Sequence, residues 1–150
     1  MRTINCLKEV ILIKFKSIFL IVIAILLCIS LFACQNAISK DDAKETTEAF
    51  VLALEKGDFE KAKTYLHPER PFDVEKYLNG IEERTGVDFQ KGIEIKRYTE
   101  FSSSLYESEV DGADYELEMN IVVDGVAFEL SVDIVKNDLG YGIYDFEIDK

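Results

Sequence analysis

The chain has 150 residues, of which 29 are Asp or Glu and 17 are Lys or Arg, so its formal net charge at pH 7 is −12. This balance excludes nucleic acid as a partner, because phosphate binding needs clustered Lys and Arg side chains. It also disfavours a domain that lies flat on anionic lipid, since like charges repel within about one Debye length, roughly 8 Å at physiological salt.

The first 33 residues have the three parts of a secretory signal: a basic start, an apolar segment and a small residue at the cleavage point. The apolar segment covers residues 18–29, and the small residue is Ala33. The basic residues are Arg2, Lys8, Lys14 and Lys16. Residues 18–33 form an apolar run shorter than the roughly 20 residues that a membrane span needs. We therefore predict a cleaved signal, with an uncleaved anchor and a plain secreted form as alternatives.

Residues Leu31, Phe32, Ala33 and Cys34 resemble the bacterial lipobox, with Leu three positions before the cut and Cys directly after it. The resemblance implies cleavage between Ala33 and Cys34 and attachment of a diacylglyceryl group to the Cys34 sulfur. Two acyl chains are enough to hold a protein stably at a membrane. The basic residues of the signal stay on the cytoplasmic side, so the domain lies on the other side. The predicted location is the extracytoplasmic face of the cell membrane. The predicted organisation is a signal peptide over 1–33, a lipidated tether over 34–40 and one domain over 41–150.

Cysteine usage indicates that this domain is held together by its core. Cys6 and Cys28 lie in the signal, so the exported chain keeps Cys34 alone and forms no internal disulfide. Attachment of lipid to Cys34 explains why the exported chain has a single cysteine without a disulfide partner. The remaining length is that of one ordinary domain, enough to bury an apolar core without covalent links.

The first part of the domain has the residue periodicity of helices. Apolar or small residues at helical spacing predict a helix over 41–56, ended by Gly57, and Asp58 caps the next helix, which stops before Pro68. The first helix places Ala43, Thr47, Phe50, Val51 and Leu54 on one face. A third short helix carries Val74, Tyr77, Leu78 and Ile81 and ends either near Asn79 and Gly80 or at Gly86.

From Gly92 onward the apolar period changes to two, which is typical of strands. We predict a strand from Ile93, a bend at Ser102 to Ser104, and a second strand over 105–110. The turn at Asp124 and Gly125 predicts a two-residue hairpin in which every inward pair is apolar. A last turn at 137–140 and a last strand over 141–148 complete an α+β domain, with N-terminal helices packed on an antiparallel sheet.

The outward face of this hairpin is acidic. By the predicted register, Glu116, Glu118, Glu129 and Asp133 share one face, with Glu116 opposite Asp133. Like charges paired in this way are mildly destabilising. A solvated face is the favoured interpretation, and bound calcium or a basic partner would offset the repulsion. A face of this charge also opposes sheet-to-sheet dimers, so we expect a monomer.

The domain resembles the small exported members of the nuclear transport factor two-like superfamily, the cystatin-like α+β cone. The residues that carry the resemblance are the pattern from Phe50 to Ala62, with Ala53, Leu54, Gly57, Asp58 and Phe59, the hairpin at Asp124 and Gly125, and the segment 135–146. The resemblance implies a curved sheet that wraps the helices and leaves a conical pocket. It carries no catalytic residue across, and both enzymes and non-enzymes share this fold.

His67 is the one histidine and a candidate for acid/base chemistry that resembles that of the isomerases and dehydratases of this superfamily. We favour a helix-end histidine in contact with water, because no partner has the required spacing. One histidine and a lipidated Cys34 cannot make a zinc site. No cofactor, metal or catalytic residue is predicted.

The expected function is a membrane-anchored, non-catalytic binding or interaction module. Its partner would be an envelope protein, a basic peptide or a small apolar ligand in the cone. Two alternatives remain open, namely a pocket enzyme that uses His67 or a buried carboxylate and an immunity-type inhibitor that binds a basic protein through its acidic sheet face.

Overall fold

The computed structural model describes residues 37–150. The predicted signal, Ala33 and Cys34 lie outside the described residues. Within residues 37–150, no helix is both long enough and apolar enough to span a membrane.

Helix α1 spans Lys40–Glu55, which confirms the predicted first helix to within one residue. Ser39 caps it, since the Ser39 hydroxyl accepts a hydrogen bond from the Asp42 backbone N–H at 3.1 Å. The predicted face is the buried one. Ile38, just before the cap, is also buried, so the core begins ahead of the helix.

Two further helices follow, α2 over Phe59–Lys63 and α3 over Val74–Thr85. Asp58 caps α2 as predicted, with its carboxylate 3.0 Å from the Lys61 backbone nitrogen. Helix α3 ends at Gly86, whose φ of 75° is the left-handed conformation that favours glycine. Gly80 lies inside the helix, so of the two predicted ends Gly86 is correct. A short 3-10 turn, Phe89–Lys91, leads into the sheet.

The sheet has four antiparallel strands in the order β1-β2-β3-β4, each joined to the next by a hairpin. The strands are β1 over Ile93–Glu107, β2 over Gly112–Val123, β3 over Val126–Asn137 and β4 over Gly140–Asp149. The predicted hairpin register is confirmed, from Val123 opposite Val126 to Tyr115 opposite Ile134. Asp124 and Gly125 both have positive φ, at 48° and 80°, as this tight turn requires.

The predicted bend at Ser102 to Ser104 is wrong, and so is the separate strand after it. β1 continues through the three serines, which pair with Glu116, Tyr115 and Asp114. Pairing with the full length of β2 satisfies the backbone of this segment and outweighs the low strand propensity of serine. Irregular register near Lys96, Thr99 and Tyr106 bends the strand without ending it.

The helices cover one face of the sheet. Leu117, Val132 and Ile134 on that face have no exposed surface. At the β4 side, Phe146 packs edge-on against three aromatic rings, with centroid distances of 5.0 Å to Phe50, 4.9 Å to Phe72 and 5.2 Å to Tyr77. The structure is therefore α+β, with helices packed on one side of an open antiparallel sheet.

Candidate functional site

The opposite side of the sheet is covered with carboxylates. Strand alternation turns every second residue of β2 and β3 outward, and the registers of β1 and β4 extend the rows. One row across the four strands reads Ser102, Glu116, Asp133 and Asp145. We define the acidic face as Glu94, Glu100, Asp114, Glu116, Glu118, Glu129, Asp133, Asp145, Glu147 and Asp149. The four acidic residues predicted to share this face do so.

The most strongly shifted carboxyl on this face is that of Asp133, which is half-buried. Burial, followed by the negative charges of Asp114, Glu116 and Asp145, raises the pKa of the Asp133 carboxyl to about 6. Burial raises the pKa of Asp114 as well, with Glu116 as the next cause. The middle of the face therefore favours a proton, or another positive charge, at one of its carboxylates.

Glu118, one row further along the strands, behaves in the same way. Its pKa is raised first by burial, then by the charges of Glu100 and Glu129 on the neighbouring strands. Repulsion thus extends over at least two rows of the acidic face.

Ion pairs of this face lie at its margins. Arg70, in the loop after α2, places Nη2 3.4 Å from Asp145 Oδ2 and donates from Nε to the Tyr144 carbonyl at 3.4 Å. Lys96 pairs with Glu94 at the far end of β1. Both pairs are solvent-exposed and contribute at most about 1 kcal/mol each. Arg70 offsets the charge of Asp145 at the β4 end of the row, and Glu116 and Asp133 add negative charge in its middle.

Calcium at this face receives no support from the geometry. Across the described part of the chain, no three His, Cys, Asp or Glu side chains lie close enough together to hold a metal ion. Strand spacing explains this, because carboxylates in adjacent rows are spread along the strands and do not converge on one point.

His67 is buried, so the predicted contact with water is wrong. Its side chain has no exposed surface. Nδ1 accepts a hydrogen bond from the Glu69 backbone N–H at 3.3 Å, so Nε2 carries the proton and donates to Asn137 Oδ1 at 3.2 Å. The ring also packs against Tyr144, 5.7 Å between centroids. The backbone around it is held to β4, since His67 N–H donates to the Ile143 carbonyl at 2.8 Å.

Asn137 is the residue that sequence reasoning missed at this end of the sheet. Its Oδ1 accepts from His67 and from the Leu139 N–H at 2.9 Å, while Nδ2 donates to Glu69 Oε2 at 2.8 Å and to the Val110 carbonyl at 2.9 Å. It ties the loop after α2 to two hairpin turns. Its place as the last residue of β3 is the one available signal, because Asn is common in turns.

Asp114 and Asp145 were also missed as members of the acidic face. Asp114 continues the alternation of β2 by one step and could have been found from the hairpin register alone. Asp145 can be assigned to the acidic face only when the pairing of β3 with β4 is known, and this register shifts between Asp133 and Ile134. The alternation of apolar and polar residues in the sequence does not predict such a shift.

Comparison of the chain with protein-family models, with curated proteins and with solved structures finds no match.

Proposed function

We propose that the chain is a bacterial lipoprotein, anchored through Cys34 on the extracytoplasmic face of the membrane, whose folded part is a non-catalytic interaction module. The acidic face binds a basic region of a partner protein. This role assigns to the interaction module expected from the sequence the acidic sheet face that the immunity-type alternative would use.

One observation carries this proposal: within residues 37–150 the helices pack on one side of the sheet, and the other side carries the acidic face. Leu117 and Val132 on the other side are fully buried beneath the helices, whereas Glu116 and Asp133, which alternate with them, face outward. The structural core therefore does not require carboxylates at these outward positions. Placing like charges directly opposite one another costs stability, and a basic partner would offset that cost.

Charge also favours fast and selective association. The formal net charge of −12 attracts a basic protein from a distance, and a patterned face then fixes its orientation. Charge of one sign also opposes pairing of this face with a second copy, in line with a monomer.

The absence of catalysis in this proposal is supported by the position of His67. Both imidazole nitrogens are engaged inside the protein, and the side chain is inaccessible to a substrate. A general base must reach the proton that it abstracts. We assign His67 a structural role instead.

We propose that the fold is of the cystatin-like α+β cone type. The support is the order of elements, with helices first and a meander of four antiparallel strands after them. The register irregularities in β1 and β4 supply local bends of the kind that curve a sheet around helices.

A binding experiment tests the acidic face. The probe is a lysine-rich peptide titrated against the full chain in neutral detergent, with the triple variant Glu116→Gln, Glu118→Gln, Asp133→Asn. We expect binding that weakens steeply with salt and falls at least about tenfold in the variant.

The matched control removes the same charge elsewhere, with Glu75→Gln, Glu83→Gln and Glu109→Gln, all of which are exposed. It should keep most of the affinity. Equal losses in both triple variants would mean that net charge alone attracts the peptide, and binding that is insensitive to salt would overturn the proposed surface.

Mass spectrometry of the chain expressed in a bacterial host tests the anchor. We expect a modified Cys34 as the first residue, and no fatty acid in a Cys34→Ser variant. An intact Met1 terminus, or an unmodified Cys34, would contradict the lipoprotein assignment while leaving the acidic face to its own test.

A further inference from the structure

A cleft with a volume of about 460 Å³ lies between the start of α1 and the start of β4. We call it the entrance cleft, because the described chain enters the fold there. The residues on which the argument rests are Ile38, Asp42, Glu45, Ala49, Tyr65 and Tyr141. The volume is within the roughly 300 to 1,000 Å³ of small-molecule sites. The cleft is separate from the acidic face, since α1 packs on the opposite side of the sheet.

Apolar surface and aromatic rings make up much of its lining. Ile38 is almost fully buried, while Ala49 and Tyr65 are half-buried and add to the apolar surface. The Tyr141 ring is fixed in position, because its hydroxyl lies 2.8 Å from Thr46 Oγ1 and donates to the Asp42 carbonyl at 3.3 Å. The cleft is thus a preformed binding site for the apolar part of a ligand.

The charges at the cleft favour a cation. Asp42 and Glu45 both line it. Lys136 lines it too, and this residue already has an interaction within the protein. Burial raises the pKa of the Tyr141 hydroxyl, Thr46 opposes this through its hydrogen bond, and Asp42 and Glu45 raise the pKa further. The potential that acts on the Tyr141 hydroxyl is therefore negative.

The tyrosine rings suit a cation as well. One ring face of Tyr65 already attracts a positive charge, since Lys61 Nζ stands 5.1 Å from the ring centroid. Cations over aromatic faces gain about 0.5 to 1 kcal/mol at exposed sites and more where water is excluded. The rings of Tyr65 and Tyr141 and the two carboxylates line this one cleft.

We propose that the entrance cleft binds a small organic ammonium ion attached to an apolar body. The ammonium group lies against Asp42 and Glu45, and the apolar body packs on Tyr65, Tyr141 and Ile38. An anionic molecule of the same shape is repelled by the two carboxylates, and a neutral one binds more weakly because it lacks the attraction to them.

Two sources can supply this chemistry, namely a free amine and the amino headgroup of a phospholipid. Ala37, which lines the cleft, follows Cys34 by three residues, so at most about 10 Å of chain separates them. If Cys34 is acylated as proposed above, lipid headgroups lie within reach of the cleft. The proposal of an ammonium site does not depend on that anchor.

The test is an NMR titration of the isotope-labelled full chain in an uncharged detergent. The probes are phenethylamine, its neutral analogue 2-phenylethanol and its anionic analogue 3-phenylpropionate. We expect saturable shifts of the Thr46 and Ala49 amide signals with the amine at millimolar concentrations or below, and much weaker shifts with the two analogues. A second arm compares short-chain phosphatidylethanolamine with phosphatidylglycerol, and shifts with the former alone identify the lipid source.

Variants make the result specific. Asp42→Asn with Glu45→Gln should weaken amine binding about tenfold, whereas Glu75→Gln with Glu83→Gln, the same charge change on α3, should leave it unchanged. Ala49→Leu, which fills the cleft, should abolish it while the rest of the spectrum persists. Equal binding of the neutral analogue, equal loss in both double variants, or no saturable shift with either amine source would overturn the proposal. The acidic face would be unaffected by any of these outcomes.

Discussion

Asn137 joins three parts of the chain that are far apart in sequence. Its amide bonds to His67 and Glu69 in the loop after α2 and to Val110 in the first hairpin turn. Two of these partners are themselves constrained, because His67 is buried and the Val110 carbonyl belongs to the turn backbone. Such a network is costly to break, since each buried partner left without a hydrogen bond is penalised.

Asn137→Ala should therefore lower the free energy of unfolding by about 2 to 3 kcal/mol, because it leaves the buried His67 Nε2–H and the Val110 carbonyl without partners. Urea denaturation followed by circular dichroism measures this. Asn79→Ala, at an exposed position on α3, is the control and should change stability by no more than about 0.5 kcal/mol. A similarly small effect at both positions would show that the hydrogen bonds of Asn137 do not stabilise the fold.

Asp133 gives a prediction with a defined pH range. Its carboxyl has a pKa of about 6 in the folded chain against an ordinary value of 3.8. The folded state holds this proton more tightly than the unfolded state, so the stabilisation is complete below about pH 4 and is lost as the pH rises through about 6.

Asp133→Asn imitates the protonated carboxyl at every pH. It should stabilise the fold by about 1 kcal/mol at pH 7.5, after allowance for solvent screening, and by very little at pH 4. Urea denaturation at the two pH values checks this, with Glu83→Gln on α3 as control. A gain of equal size at both pH values would show that ionisation of the Asp133 carboxyl is not the cause.

At the scale of elements, the central hairpin was predictable and the first strand was not. The turn at Asp124 and Gly125 fixes the register of its two strands, and a shift by one residue would turn every apolar side chain outward. The local residues of β1 suggested a bend at Ser102 to Ser104. Pairing with β2 decides the outcome, and that information lies in a different part of the chain.

One part of the candidate site could likewise be predicted from the sequence and another could not. The acidic residues of β2 and β3 followed from alternation, so this part of the acidic face could be predicted. The burial of His67 could not, because it depends on contacts with Asn137 and Ile143, about 70 or more residues further along. No local pattern around Pro68 indicates that this loop packs against β4.

The contact between that loop and β4 depends on Gly142. A Cβ atom at this position would stand 2.8 Å from the His67 nitrogen and from the Tyr65 oxygen, both backbone atoms that cannot move aside cheaply. The same segment forms a parallel bridge between Leu66 and Ile143. The missing side chain is what allows the loop to lie against the strand.

Gly142→Ala should destabilise the fold by about 2 to 3 kcal/mol, because the loop must separate from β4. Gly80→Ala is the matched control. It lies within α3, no atom stands within 4 Å of the position that its methyl group would take, and alanine is the better helix former, so a gain of about 0.5 to 1 kcal/mol is expected. Thermal unfolding of the two variants should shift in opposite directions, and a tolerated alanine at 142 would contradict the close approach.

For the whole molecule, charge is the dominant feature. A net charge of −12 with many carboxylates on one sheet face favours solubility and opposes compactness. Repulsion among exposed charges is screened by salt, whereas burial of the core is not.

Added salt should therefore stabilise this protein. We expect the urea midpoint to rise between about 20 mM and about 300 mM NaCl, as the Debye length falls from roughly 20 Å to below 10 Å. The rise should be smaller in Glu116→Gln with Glu118→Gln than in Glu75→Gln with Glu83→Gln, which lie on α3. An identical rise in the two double variants would show that the acidic face does not set the salt dependence.

The strand order has a consequence for how the protein reaches its folded state. Each strand pairs with its neighbour in sequence, so every closure in the sheet joins nearby segments and the entropy lost per closure is small. We expect zippering outward from the tight turn at Asp124 and Gly125, followed by docking of the helices. Folding through local closures of this kind needs little assistance, because few long-range contacts must form before the sheet is complete.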